Sequence, residues 1–190
     1  MKLVPILDLQ KFDEQNLLDI DRACVDHGFF TLIGHGLNDL IDRVDEQARR
    51  FFAAPRSLKI SVLRPEDSHL GYFDRELTKH RRDLKEVFDY HGKPLDDPSV
   101  IGQGDFNFWP DNSDGRLDSA GLQEFKTTLL EFYKANSKLA LEVLKLLCQV
   151  MNGDTDKILP LFVHNHSSLA RLNHYPSYDP LPEAERNNKN

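Results

Sequence analysis

The sequence predicts an α+β fold. Three observations point there: two amphipathic helical segments alternate with short β-branched and aromatic runs in the first third, a long helical pattern follows Asp118, and a strand with strict alternation lies at Ser168–Tyr175. At 190 residues and 21.9 kDa, the chain suits one ordinary domain or part of a larger one.

The elements follow in chain order. Val4 to Leu7 is a short strand. Leu17, Ile20, Ala23 and Cys24 recur at three- and four-residue spacing, which predicts a helix over about Glu14 to His27 with Gly28 as its C-cap. Phe29 to Ile33, closed by Gly34 and Gly36, predicts a strand. Asn38 or Asp39 caps a second helix whose inner stripe is Leu40, Val44, Ala48, Phe51 and Phe52, and Pro55 ends it. Short strands are expected at Leu70–Phe73 and Glu86–Tyr90, and loop around Gly102–Pro110.

From Asp118 onward, Leu122, Phe125, Leu129, Phe132, Tyr133, Leu139, Val143, Leu144, Leu147, Val150 and Met151 keep helical phase until Asn152-Gly153. This predicts one helix of about thirty residues, well above the globular mean, packed along a sheet edge or face. A short helix is expected within Asp156–Phe162. In the last strand, alternation places Leu169, Arg171, Asn173 and Tyr175 on one face and Ala170, Leu172 and His174 on the other. A guanidinium, an amide and a phenol thus stand in a row, either as a solvent-facing strand side or as part of a site.

Composition narrows the function classes. Hydrophobic residues make up 39% and charged residues 29%, which is a globular balance, and the formal charge of −7 argues against nucleic acid or an acidic membrane as partner. No stretch has the length and apolarity of a membrane span, and the apolar run at the N-terminus stops at Asp8, too early for a secretory signal. Cys24 and Cys148 lack a paired spacing and are expected to be buried free thiols, which suits a cytoplasmic protein.

Several segments share one pattern. HGFFTLIGHGL (27–37) carries GFF-x-x-x-x-HG, and FFAAP with Lys59 carries FF-x-x-P-x-x-x-K. Gly71-Tyr72, Glu76 and DLKEVFDY form a third block, Asn107-Phe108-Trp109-Pro110 a fourth, and Arg171-Leu172-Asn173-His174-Tyr175-Pro176 a fifth. In this order and spacing they resemble the N-terminal region of the isopenicillin N synthase-like, non-haem Fe(II)/2-oxoglutarate-dependent dioxygenases. The resemblance implies helices and short strands over 1–116. It further implies, over 117–190, a long helix with the first strands of an incomplete double-stranded β-helix, or jelly roll. In that family the Tyr of the last motif hydrogen-bonds 2-oxoglutarate, so Tyr175 is the implied cosubstrate contact and Asn173 its neighbour in the site.

The resemblance also implies Fe(II) and 2-oxoglutarate as the cofactors of a full-length member that hydroxylates, desaturates or cyclises a small organic molecule. The iron there is held by His-x-Asp and a distal His, with Arg-x-Ser for the cosubstrate carboxylate. None of the eight histidines here has Asp or Glu two residues later, and no Arg-x-Ser occurs. No catalytic or metal-ligating residue is therefore assigned. The chain is expected to stop before the metal site, to bind neither cofactor tightly alone, and to be inactive without a C-terminal half. A stand-alone binding module or pseudoenzyme is the alternative.

Other candidates have plainer readings. His164-x-His166 has a metal-ligand spacing but no nearby carboxylate or cysteine to complete a set. His27 and His35 are expected to pack or to bond backbone, and His174 to face the sheet's other layer. Asp83, Lys85 and Glu86 are expected to form an exposed ion-pair turn rather than an acid–base cluster.

Overall fold

In the computed structural model, the residues described are 4–11, 14–79, 81–92, 107–112, 115–163, 168–179 and 181–183. The chain is mixed helix and sheet. It divides into two compact units, one of Met1–Asp42 with Lys134–Ser167, the other of Arg43–Tyr133 with Ser168–Asn190.

In the first unit, β1 (Ile6–Asp8) pairs in parallel with β2 (Thr31–Ile33). Between them runs α1 (Glu14–Asp26), which buries Ile20 and Ala23 as its spacing predicts. Gly28, at φ +77°, closes the helix, and its N–H and that of His27 both donate to Ala23 O at 3.0 Å. Cys24 falls on the outer side of α1 and is exposed, contrary to expectation, because Ala23 already occupies the inward position of that turn.

The second helix, α2 (Asn38–Ala53), is followed after Pro55 by a short α3 (Arg56–Ile60) that the pattern did not reveal. Pro55, extended at φ −54° and ψ 142°, both breaks α2 and starts α3, since its missing N–H costs nothing at a helix start. Next come β3 (Gly71–Phe73), a small hairpin of β4 (Leu77–Thr78) and β5 (Arg81–Arg82), and β6 (Glu86–Tyr90). The hairpin lies where the sequence shows only a charged run.

The expected long helix is two helices. α4 (Arg116–Ala120) ends at Gly121, whose φ of +65° is left-handed, and α5 (Phe125–Val150) then runs for 26 residues. The apolar pattern begins at Leu122, past the break, which is why the pattern alone concealed it. The left-handed φ is what favours glycine there, and Arg50 donates to Gly121 O at 3.0 Å. Asn152, at φ +51°, ends α5 as expected, with Gly153 N–H donating to Cys148 O at 2.7 Å. Two short helices follow in place of one, α6 (Thr155–Ile158), capped by the Asp154 side chain, and α7 (Pro160–Val163).

The last strand is β7 (Ala170–His174). The second unit's sheet has the order β3-β6-β7, antiparallel throughout, with a parallel bridge from Leu63 to Tyr72 on the β3 side. Its inner face meets an aromatic core. Phe51 stacks on Phe125 at 4.8 Å and meets Phe88 edge-on at 5.0 Å, with Tyr72, Tyr90, Leu122, Leu129 and Tyr133 around them. Such ring pairs add about 0.5–1.5 kcal/mol each beyond their area burial.

Candidate functional site

The β6–β7 register decides what β7 presents. Glu86 pairs with His174, Phe88 with Leu172 and Tyr90 with Ala170 toward the core, while Val87 pairs with Asn173 and Asp89 with Arg171 on the outer side. The outward residues of β7, Arg171 and Asn173, are exposed, whereas Ala170, Leu172 and His174 are half-buried. Tyr175 continues the outer face one position beyond the ladder and is 71% exposed. The alternation read from the sequence is therefore the alternation of the folded strand.

The three side chains of that row differ in freedom. Arg171 is engaged: its Nε and Nη2 donate to the two oxygens of Asp89 at 2.6 and 2.8 Å, and its Nη1 lies 2.9 Å from Glu76 Oε1. The Asp89 hydrogen bond, outweighing desolvation, raises the guanidinium's affinity for its proton. Glu76 in turn accepts from Lys85 at 2.8 Å, and Asp83 lies 3.6 Å from Lys85. Arg64 sits 3.9 Å from both Glu76 and Asp89, with its guanidinium 3.6 Å above the Phe73 ring. Burial pushes the Glu76 carboxyl up, but the Lys85 hydrogen bond and the Arg171, Lys85 and Arg64 charges overcome it and hold the group below its ordinary range. The side chains of Asn173 and Tyr175 make no hydrogen bond with another described residue, so an amide and a phenol remain available to a ligand.

On the inner side, a second polar group lies under the sheet. Lys59 donates to Glu86 Oε1 at 2.5 Å and to Phe52 O at 3.0 Å, and Tyr72 Oη donates to the same Glu86 oxygen at 2.5 Å. Desolvation, then the Glu86 hydrogen bond, pushes the Tyr72 phenol far above its ordinary range. Arg56 pairs with the buried Asp74 beside it. The exposed turn expected of Asp83, Lys85 and Glu86 is not found: strand pairing with His174 turns Glu86 inward, and Lys85 and Asp83, though paired on the outer side, are half-buried because Lys85 is drawn onto Glu76. His174 stacks on Phe52 at 5.1 Å, which meets the expectation that it faces the other layer.

The remaining histidines divide simply. His35 Nδ1 accepts from Leu37 N–H at 3.1 Å, and His27 meets Phe29 edge-on at 6.3 Å, so the first bonds backbone and the second packs. His164 and His166 lie outside the described residues. Among the described residues, no three His, Cys, Asp or Glu side chains are arranged to hold a metal ion, so these residues do not fit Fe(II). The donors on β7 suit an anionic, oxygen-rich ligand: a phenol and an amide, both offering N–H or O–H groups. No described helix is long and apolar enough to cross a membrane.

Residues 4–112 match the family model described as the N-terminal part of the non-haem dioxygenase in morphine synthesis. The chain belongs to the non-haem dioxygenases. Among curated relatives of this dioxygenase chain, gibberellin 20 oxidase 1 of Arabidopsis thaliana is 32% identical over 184 residues, covering 91% of this chain and 46% of that protein. The 2-oxoglutarate-Fe(II) type oxidoreductase hxnY of Emericella nidulans is 30% identical over 202 residues, covering 97% and 56%. The chain thus spans about half the length of the curated relatives it matches. The solved structure of JOX2 with 2OG, Fe and JA shares the fold at a TM-score of 0.71 and 24% identity, over 91% of this chain and 48% of that one.

Two features of the dioxygenase chain escaped sequence reasoning, the outer ion network and the buried Lys59–Glu86–Tyr72 group. The only strand-borne signals were Glu86 and Asp89 on β6 and Arg171 on β7. Lys59 and Glu86 fall within the family motifs, and a charged residue that is buried is almost always paired.

Proposed function

We propose that this chain forms the N-terminal part of an Fe(II)/2-oxoglutarate-dependent oxygenase that oxidises a small organic molecule, and that Asn173 and Tyr175 line its cosubstrate site. The observation that carries the reading is the outer face of β7, where Asn173 and Tyr175 stand adjacent and unengaged while Arg171 is committed to Asp89 and Glu76. In this reading the Tyr175 hydroxyl donates to 2-oxoglutarate and the Asn173 amide borders it. Fe(II), when bound in the complete oxygenase, would supply the oxidising chemistry; the residues of this chain bind and orient. The long helix and β7 belong, on this reading, to residues 117–190 as the beginning of a jelly roll, with residues 1–116 as the region packed before it.

The chain alone is expected to release no succinate from 2-oxoglutarate with Fe(II) and ascorbate, because its sequence carries neither His-x-Asp nor Arg-x-Ser. Binding is tested separately by titrating 2-oxoglutarate into the labelled chain and following each residue by NMR. Shifts concentrated at Asn173 and Tyr175, and weakened in Tyr175→Phe, support the assignment. Saturable shifts centred elsewhere would instead mark a binding module with a different ligand face.

A further inference from the structure

Tyr175 stands where backbone pairing gives out. The last β6–β7 pair is Glu86 with His174, and Pro176 has no N–H with which to extend the ladder. Past that point no β6–β7 ladder bond positions the phenol. Lys85 precedes Glu86 as Tyr175 follows His174, so the two lie opposite each other just past the ladder.

A single carboxylate reaches from this open end back along the face. Glu76 Oε2 accepts from Lys85 Nζ at 2.8 Å, while Glu76 Oε1 lies 2.9 Å from Arg171 Nη1. Lys85 leads into β6 and Arg171 belongs to β7, so the carboxylate crosses the strand pair diagonally, with the Val87–Asn173 pair between its two anchors. Both anchors are themselves held. Asp83 flanks Lys85 at 3.6 Å, Asp89 grips Arg171 through two hydrogen bonds, and Arg64 stands 3.9 Å from both Glu76 and Asp89. Asp83 N–H also donates to Glu76 O at 2.7 Å, which fixes the backbone that carries the carboxylate. Isolated exposed ion pairs contribute little, but Glu76 and Lys85 are each only 16% exposed and belong to a connected network, in which geometry is enforced from several sides.

We propose that Glu76 is a positioning residue for the outer face of β7: by bridging Lys85 to Arg171 it clamps the open end of the strand pair and sets Asn173 and Tyr175 side by side. That the two side chains meet 2-oxoglutarate rests on the reading above; that Glu76 places them does not.

The test is NMR on the full chain without ligand, comparing wild type with Glu76→Gln and Lys85→Met. Each variant removes one charge from the bridge and leaves Asp89–Arg171 intact. Cross-strand contacts from the Tyr175 ring to the residue 85 methylenes, and from Asn173 to the Val87 methyls, are expected in wild type. Both variants are expected to lose the Tyr175 contact and keep the inner Phe88–Leu172 contact, which separates loss of placement from loss of fold. If Glu76→Gln also loses the inner contact, Lys85→Met decides. In wild type the Tyr175 contact is expected to persist on acidification through the ordinary carboxylate range and to vanish only as Glu76 takes up a proton; in Glu76→Gln it is absent at every pH. Unchanged Tyr175 contacts in a folded variant would overturn the proposal. A final addition of 2-oxoglutarate to wild type judges only the cosubstrate reading: if Asn173 and Tyr175 do not shift, that reading falls and the clamp is still decided by the ligand-free spectra.

Discussion

Lys59 donates to Glu86 across 2.5 Å in a place nearly closed to solvent, with the lysine on α3 and the glutamate on β6. A buried pair of this kind is costly to split, because the surviving carboxylate loses its ammonium and gains no water, keeping only the Tyr72 hydroxyl as donor. Lys59→Met is expected to destabilise the chain by about 3–5 kcal/mol, measured by urea unfolding. Replacing both charged residues together, as Lys59→Met with Glu86→Gln, is expected to recover a large part of that loss, since Tyr72 Oη keeps an amide oxygen as acceptor.

The outer face predicts an acid-limb effect. Glu76 has a carboxyl depressed in the fold relative to its ordinary 4.5, so it binds a proton less readily folded than unfolded. Its contribution is fully present above that ordinary value and is lost as pH falls through the lower folded value. Urea midpoints from pH 7 to pH 3 are expected to drop less steeply at the acid end in Glu76→Gln than in wild type. Parallel curves would show that the folded carboxyl is not depressed.

Gly71 tests the sheet's other edge. Its φ is +104°, and a Cβ there would lie 2.6 Å from Val62 O, the atom that accepts from Tyr72 N–H at 2.8 Å. Gly71→Ala is therefore expected to cost at least about 2 kcal/mol from backbone strain and crowding together. A change below 0.5 kcal/mol, about the size of an ordinary surface substitution, would contradict the close approach.

The two thiols should react at different rates. Cys24 is exposed on α1 and Cys148 is buried on α5. A disulfide reagent applied to the native chain is expected to modify one thiol quickly and the second only as the fold opens, and Cys24→Ser should remove the fast phase.

How much of this could be read in advance differs from one element to the next. Strands β3 and β6 show as short aromatic and β-branched runs, β6 being buried on both faces, while helices α1 and α2 and strand β7 announce themselves because one face of each is turned to the interior, so apolar spacing and burial coincide. The face of β7 carrying Asn173 and Tyr175 was legible for the same reason. The break at Gly121 was not, because Leu122 and Phe125 beyond it already fall in phase with α5, and the Arg50 that bonds the Gly121 carbonyl is far away in sequence. Glu86 misled for a related reason. Charge is a sound guide to exposure until a lysine 27 positions earlier is folded onto it, and that pairing is a property of tertiary packing. Cys24 shows the local limit: its helical phase allowed either side of α1, and Ala23 took the inner one.

The aromatic cluster also gives the molecule a built-in optical reporter. The sequence holds one tryptophan, Trp109, with its ring 5.6 Å from Phe88 and from Tyr90 and 6.1 Å from Phe125. At these distances Tyr90 passes its excitation to the indole, so fluorescence follows the loosening of the Arg43–Tyr133 unit and its core. Nothing in the Met1–Asp42 and Lys134–Ser167 unit carries an indole, yet that unit holds α1 and most of α5 and so supplies much of the far-ultraviolet dichroism. The two optical signals thus watch different parts of one chain. Coincident denaturation curves would mean a single cooperative transition, and separated ones would show which unit lets go first.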